Sequence, residues 1–259
     1  KKVINSLSGA GQMMFTKYLI IVSGDTDIRD YYKLLISVCR NTDLRSDLLF
    51  TSGPLDVLDH SAETFSLGGK LGIDATQKIR EEKYSPWIVN PEQDTGENVC
   101  HVTVILKTLA DEKNIYRPDD KPLIVVGVDV EKDKGIIVRL RKLFADRGCG
   151  NFAGLIALVD NKVDVTDLFT VSWQVLANTD PLRDIDIIDN KTIIIDGTIK
   201  AFREGGFPRR WPNVVCSSAE TIDIINKKWE SFEIGPFIPS PSLKFSMLCR
   251  SGNEQITTV

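Results

Sequence analysis

The residues best placed by type to do chemistry are two aspartate pairs, Asp27 with Asp30 and Asp164 with Asp167, a glycine-rich run around Lys70, and two histidines among five cysteines. Closely spaced carboxylates could form an acid/base dyad, but here each pair follows an apolar run and precedes a helical pattern. The first Asp falls at the strand-to-helix turn, where its side chain can accept orphan N–H groups. The second lies one turn on, near the positive end of the helix dipole. Capping is therefore expected over catalysis. Asn41-Thr42-Asp43 and Asn178-Thr179-Asp180 read similarly, as helix stops and turns.

In Leu67-Gly68-Gly69-Lys70-Leu71-Gly72-Ile73-Asp74-Ala75-Thr76, three glycines around a lysine permit close backbone approach and deliver one mobile positive charge. Such a loop suits an anionic group such as a phosphate. A flexible surface connection with a solvated lysine accounts for it equally well. His60 and His101 are too isolated to build a zinc site with Cys39, Cys100, Cys149, Cys216 and Cys249, and no CxxC pair occurs. The thiols read as reduced and cytosolic. No glycine fingerprint follows a strand, and neither a GxxxxGK[ST] loop nor a GxSxG elbow is present. Trp87, Trp173, Trp211 and Trp229 suit packing. Lys200, Arg203, Arg209 and Arg210 around Phe207 and Trp211 suit a solvated loop or subunit contact better than an anion site.

These residues must be positioned by alternating elements. Tyr18–Val22 reads as a buried strand, with a helix capped by Asp27 and carrying Tyr32, Leu35, Ile36 and Cys39, then a strand over Leu48–Thr51. Leu123–Val128 and Ile136–Phe144 form a further strand and helix. Leu155–Val159, a helix capped by Asp164 with Leu168, Val171, Val175 and Leu176, and Ile185–Ile188 repeat the first grammar. Strands alternating with helices imply α/β architecture: three-layer α/β/α modules with a mostly parallel sheet.

The modules are duplicated in sequence. Asp27, Asp30, Asn41, Thr42, Asp43 and Asp47 recur 137 positions later as Asp164, Asp167, Asn178, Thr179, Asp180 and Asp184. Ile73-Asp74-Ala75-Thr76-Gln77-Lys78 recurs 122 positions later as Ile195-Asp196-Gly197-Thr198-Ile199-Lys200. The expected organisation is a lead-in over 1–14, a first module over 15–98, a connection over 99–117, a related module over 118–236 and a tail over 237–259. Val102–Leu106 is β-branched like a strand, yet Val104, Lys107, Thr108 and Asp111 could lie along a helix. The tail has loop composition and could wrap another subunit or be mobile.

A net charge of −4 and a pI near 5.4 supply no cationic surplus for nucleic acid or an anionic membrane. No apolar run approaches the roughly 20 residues that cross a bilayer. The expectation is a soluble, cytoplasmic chain, and one starting at Lys1 without an initiator Met reads as a piece of something longer.

Lys1-Lys2-Val3, Met14 through Val22, Asp27-Ile28-Arg29-Asp30, Pro54-Leu55-Asp56-Val57-Leu58-Asp59 and above all Leu67 through Lys78 resemble, in order, the C-terminal domain of UbiD carboxy-lyases. The second module resembles the same domain through Asp164-Val165-Thr166-Asp167, Trp173 and Asn178 to Asp184, but lacks the glycine-lysine loop. The resemblance implies a non-oxidative, reversible decarboxylase of aromatic or unsaturated acids, from quinone biosynthesis or aromatic acid metabolism. It would use prenylated FMN with a divalent metal (Mn) and potassium. Flavin, Arg and paired Glu residues would belong to an N-terminal region of the same chain, so residues 1–259 alone would be inactive and bind no cofactor. What it implies here is a flavin-phosphate contact by Lys70, flanked by Gly69 and Gly68, with no catalytic or metal residue. The C-terminal region would close the cavity and assemble a homo-oligomer. A non-catalytic assembly module without cofactor contact is the alternative.

Overall fold

A computed structural model describes residues 1–89, 96–118 and 121–257. It forms two compact units, Lys1–Arg209 and Arg210–Val259, and both sheets lie in the first. The stretch 90–95, before the expected module boundary near residue 98, lies outside the described residues, as do 119–120 and the last two residues of the tail.

After α1 (Lys2–Ser8), the first sheet is built from β1 (Tyr18–Val22), β2 (Leu48–Pro54) and β3 (Leu67–Ala75), with α2 (Tyr31–Asn41) between β1 and β2. Its order is β1-β3-β2; β3 runs parallel to β1 and antiparallel to β2. Helix α3 (Gly96–Lys107) follows. The second sheet comprises β4 (Ile115–Tyr116), β5 (Leu123–Val128), β6 (Gly154–Asp160), β7 (Ile185–Ile188) and β8 (Thr192–Asp196). Its order is β4-β5-β6-β8-β7, with α4 (Ile136–Arg147), α5 (Leu168–Asn178) and α6 (Pro181–Asp184) in the connections. Strand β8 pairs parallel with β6 and antiparallel with β7, as β3 does with β1 and β2.

The α/β class is as expected, but the sheets are mixed rather than mostly parallel. The reason lies in the connections. A parallel partner needs a crossover of a dozen or more residues, whereas β7 and β8 are joined by a tight turn. Lys191 N–H donates to the Ile188 carbonyl at 3.0 Å. Asp189 and Asn190 between them both have φ 52°, the left-handed geometry of a hairpin turn that matches strand twist.

Two local expectations need correction, and one alternative left open is resolved. Each helix begins one turn later than the first aspartate: Asp30 accepts Lys33 N–H and Asp167 accepts Thr170 N–H, so these are the N-caps. Asp27 and Asp164 instead accept N–H groups two residues on, folding the turn that leads in. The ambiguous connection is helical, because Val102, Ile105 and Leu106 bury one face at helical spacing. The glycine-rich run is no loop: it is β3 itself, paired on both sides.

The two sheets share apolar packing. Val38 and Cys39 of α2, Leu44, Ala75 and Trp87 cluster with Ile193, and Leu155, Ile185, Ile187 and Ile195 pack against them. The Trp87 indole N–H donates to the Lys191 carbonyl at 2.6 Å, tying the end of the first module to the hairpin of the second.

The unit Arg210–Val259 contains α7 (Ala219–Lys228), capped by Ser218, and the short α8 (Ser242–Phe245). Trp229 meets Phe237 edge to face at 5.7 Å, and Pro212 bridges Gln255.

Candidate functional site

Strand β3 presents the residues expected to meet an anion, and the structure places each against protein. Lys70 is 3% exposed. Its Nζ donates to the carbonyls of Met14 and Thr16, and burial lowers its pKa. The ammonium thus fastens the segment before β1 to the middle of the sheet. The neighbouring glycines make room for the turn that begins α6. A Cβ on Gly69 would stand 2.1 Å from Asp180 Oδ1 and 2.7 Å from Leu182 N, and one on Gly68 would stand 2.7 Å from Leu55 Cδ1. Asp180 uses this space: its Oδ2 accepts Gly69 N–H at 2.9 Å and its Oδ1 accepts Leu182 N–H at 3.0 Å. Gly72 is likewise filled, by Ile4, whose Cγ2 would lie 2.4 Å from an added Cβ. The Gly69 amide and the Lys70 ammonium, the groups that would serve a phosphate, are both committed to protein acceptors.

Around this contact the modules are joined by polar groups. Ser61 Oγ donates to the Thr179 carbonyl at 2.9 Å, and Arg183 Nη1 donates to the Ser61 carbonyl at 2.8 Å. Tyr18 and Thr179 share a hydroxyl hydrogen bond, and burial pushes the Tyr18 phenol above its usual pKa. His60 Nε2 lies 3.1 Å from Asn178 Oδ1. Asn178 spends its own N–H groups on Gln174 and Gly197, so the imidazole is the donor, and burial lowers its pKa. Lys17 pairs with Asp59 at 2.8 Å. Arg209 donates to the carbonyls of Asp59 and Ala62, each at 3.0 Å, and Arg203 and Arg183 stack on Phe207. Of the basic cluster, Arg203 and Arg209 are thus committed to protein groups, whereas Arg210 is exposed.

The repeated Asp-Asp-Thr-Lys residues form two matching networks. In the first, Asp43 N–H donates to Asp47 Oδ2 at 2.9 Å, Thr76 Oγ1 donates to Asp74 Oδ1 at 2.6 Å, and Lys78 Nζ reaches the Asp74 carbonyl at 3.1 Å and Asp47 Oδ2 at 3.1 Å. In the second, Asp180 N–H donates to Asp184 Oδ2 at 2.8 Å and Thr198 Oγ1 donates to Asp196 Oδ1 at 2.5 Å. Lys200 Nζ reaches the Asp196 carbonyl at 2.7 Å and lies 3.8 Å from Asp184 Oδ2. The sequence spacing signalled these groupings. It carried no sign that Tyr18, Ser61, His60 and Arg183 converge between the modules, since those residues lie far apart along the chain.

Among the described residues no group of three or more His, Cys, Asp or Glu side chains could hold a metal ion. None of the described helices is long and apolar enough to cross a membrane.

The two mixed sheets, joined by buried polar contacts, make the unit Lys1–Arg209 an α/β domain. The family described as 3-octaprenyl-4-hydroxybenzoate carboxy-lyase C-terminal domain matches residues 1–75 and 121–206, and the chain belongs to that UbiD C-terminal family. An uncharacterized protein of Helicobacter pylori is 29% identical over 236 residues, covering 88% of this chain and 35% of its own length. An uncharacterized protein of Archaeoglobus fulgidus is 36% identical over 103 residues, covering 38% of this chain and 21% of its own. The chain thus spans about a third of the length of its Helicobacter relative. Among solved structures, the UbiD-class enzyme HmfF from Pelotomaculum thermopropionicum in complex with FMN overlaps 27% of this chain and 17% of its own, at 24% identity and a TM-score of 0.24. Vanillic acid decarboxylase of Sedimentibacter hydroxybenzoicus overlaps 41% and 24%, at 21% identity and a TM-score of 0.31.

Proposed function

We propose that the chain is the C-terminal region of a prenylated-FMN-dependent, non-oxidative decarboxylase of aromatic or unsaturated carboxylic acids. The observation that carries this reading is the family match across both modules, residues 1–75 and 121–206. On this reading the flavin, its divalent metal and potassium, and the catalytic carboxylates belong to a preceding region of the same protein. The flavin would take up the electron pair left by departing CO2, and this region would help close a dry cavity over the substrate. The test is CO2 release by the full-length protein supplied with prenylated FMN and a panel of aromatic and unsaturated acids, with residues 1–259 alone as the inactive comparison. Turnover by residues 1–259 without the preceding region would overturn this division of labour.

The second reading, an assembly module without cofactor contact, is favoured by the buried Lys70 ammonium and the filled space beside Gly68 and Gly69. Lys70→Ala in the full-length protein separates the two by flavin affinity and folding stability. The packing described above predicts unchanged flavin affinity with reduced stability. Lost affinity in a protein of unchanged stability and assembly would return Lys70 to the flavin phosphate.

A further inference from the structure

The Arg210–Val259 unit carries a pair of thiols for which the decarboxylase reading has no use. Cys216 and Cys249 are separated by 33 positions, yet their Sγ atoms lie 3.8 Å apart and both residues are partly exposed. Hydrogen bonds from the Asn213 side chain and backbone hold the two segments together. Asn213 Oδ1 accepts Arg250 N–H at 3.0 Å, Asn213 Nδ2 donates to the Arg250 carbonyl at 2.9 Å, and Asn213 N–H donates to the Glu254 carbonyl at 2.9 Å. One residue beyond Cys216, Ser217 N–H donates to Ser242 Oγ at 3.1 Å. A disulfide requires the sulfurs to close from 3.8 Å to about 2.05 Å.

We propose that Cys216 and Cys249 form a reversible disulfide that follows the surrounding thiol/disulfide balance and staples this unit. The oxidant is a small organic disulfide such as oxidised glutathione. One protein thiol loses its proton to solvent, and its thiolate attacks a sulfur of the small disulfide, expelling one small thiolate. The second protein thiolate then attacks the protein sulfur of the mixed disulfide and expels the other. Two protein thiols are oxidised, one external disulfide is reduced to two thiols, and the displaced protons go to solvent and to the leaving thiolates. Cys39 and Cys149, 0% and 2% exposed, are shielded from this exchange. Burial, with the neighbouring Cys249, raises the Cys216 pKa, so exchange quickens as pH rises.

The staple has a local consequence. Ser217, Thr221, Ile225, Trp229 and Ile238 line a cleft of about 330 Å³. Linking Cys216 to Cys249 fixes the cleft wall that carries Ser217.

The test equilibrates the full-length protein in mixtures of oxidised and reduced glutathione, quenches with acid and alkylating reagent, and maps peptides without reduction. The expected product is one peptide pair linking Cys216 to Cys249, lighter by two hydrogens and reversed by excess reduced glutathione. Proteolysis between Val214 and Cys249 should slow severalfold in the oxidised protein alone. Cys216→Ser and Cys249→Ser should each abolish the link and leave the remaining thiol as a glutathione adduct. Stable adducts on both cysteines without a link, a link to another cysteine, or unchanged proteolysis of the linked protein would each overturn the proposal.

Discussion

The two buried lysine networks share their local hydrogen bonds and differ in what covers them. Around Lys200, Asp184 and Asp196 are 1% and 4% exposed, and Arg183 grips Asp184 at 2.6 Å while also reaching Ser61 of the other module. Around Lys78, the Asp74 side chain is 17% exposed, and Asp43 is held by Arg45, whose side chain is 59% exposed. The spare acceptor of each turn also has a different client. Asp180 takes Gly69 N–H from the other module, whereas Asp43 takes Ser85 N–H from its own. One motif thus serves in one place to close a module on itself and in the other to join two modules. Its energetic weight follows from burial, since an ion pair in water is worth little and breaking a buried one is costly.

The largest effect expected from that difference is on the lysines. Lys200→Met should cost about 3–5 kcal/mol in denaturant unfolding, because it leaves buried carboxylates without their cation. Lys78→Met should cost about 1–3 kcal/mol, as water reaches Asp74. Equal losses would break the comparison. Next, Asp180→Ala removes a helix cap and orphans Gly69 N–H, at about 2–4 kcal/mol by the same measurement. Asp43→Ala should cost less, and only Asp180→Ala should loosen the joint between modules, seen as faster hydrogen exchange at Gly69.

A smaller contrast concerns Gly197, which occupies the place of Ala75. A Cβ on Gly197 would stand 2.8 Å from Val175 Cα and 3.0 Å from the Leu158 carbonyl, so Gly197→Ala should destabilise by about 1–3 kcal/mol in thermal unfolding. Ala75→Gly, at a buried site that already holds its methyl, should cost only about 0.5–1 kcal/mol.

A comparably small effect is acid sensitivity. Burial opposes ionisation of Asp74, but Thr76 and Lys78 outweigh it and hold the carboxyl at about 2, below its ordinary 3.8. A folded pKa below the unfolded one stabilises above pH 3.8, and that stability is lost as pH falls toward 2. After allowance for solvent at its exposed edge, Asp74→Asn should remove about 1 kcal/mol of this pH dependence, read from unfolding midpoints between those limits.

Much of this was legible along the chain. Tyr18–Val22, Leu123–Val128 and Ile185–Ile188 were bounded to the residue, because β-branched runs ending in polar turns have few other places to go. The paired aspartates were read as capping groups with the cap on the first of each pair, whereas it falls on the second and the first folds the turn before it. Strand β3 was misread because three glycines and a lysine look like a loop when their neighbours are unknown.

The sequence by itself determined the alternation of strands and helices, the turn chemistry and the repeated Asp-Asp-Thr-Lys spacing, since these depend on residues within a few turns of one another. Only the tertiary structure decided that Gly68 and Gly69 are openings for Asp180, that Lys70 holds the lead-in to β1, and that Cys216 meets Cys249. Those contacts join residues between 33 and 111 positions apart, and local preference carries no information about which distant group will arrive.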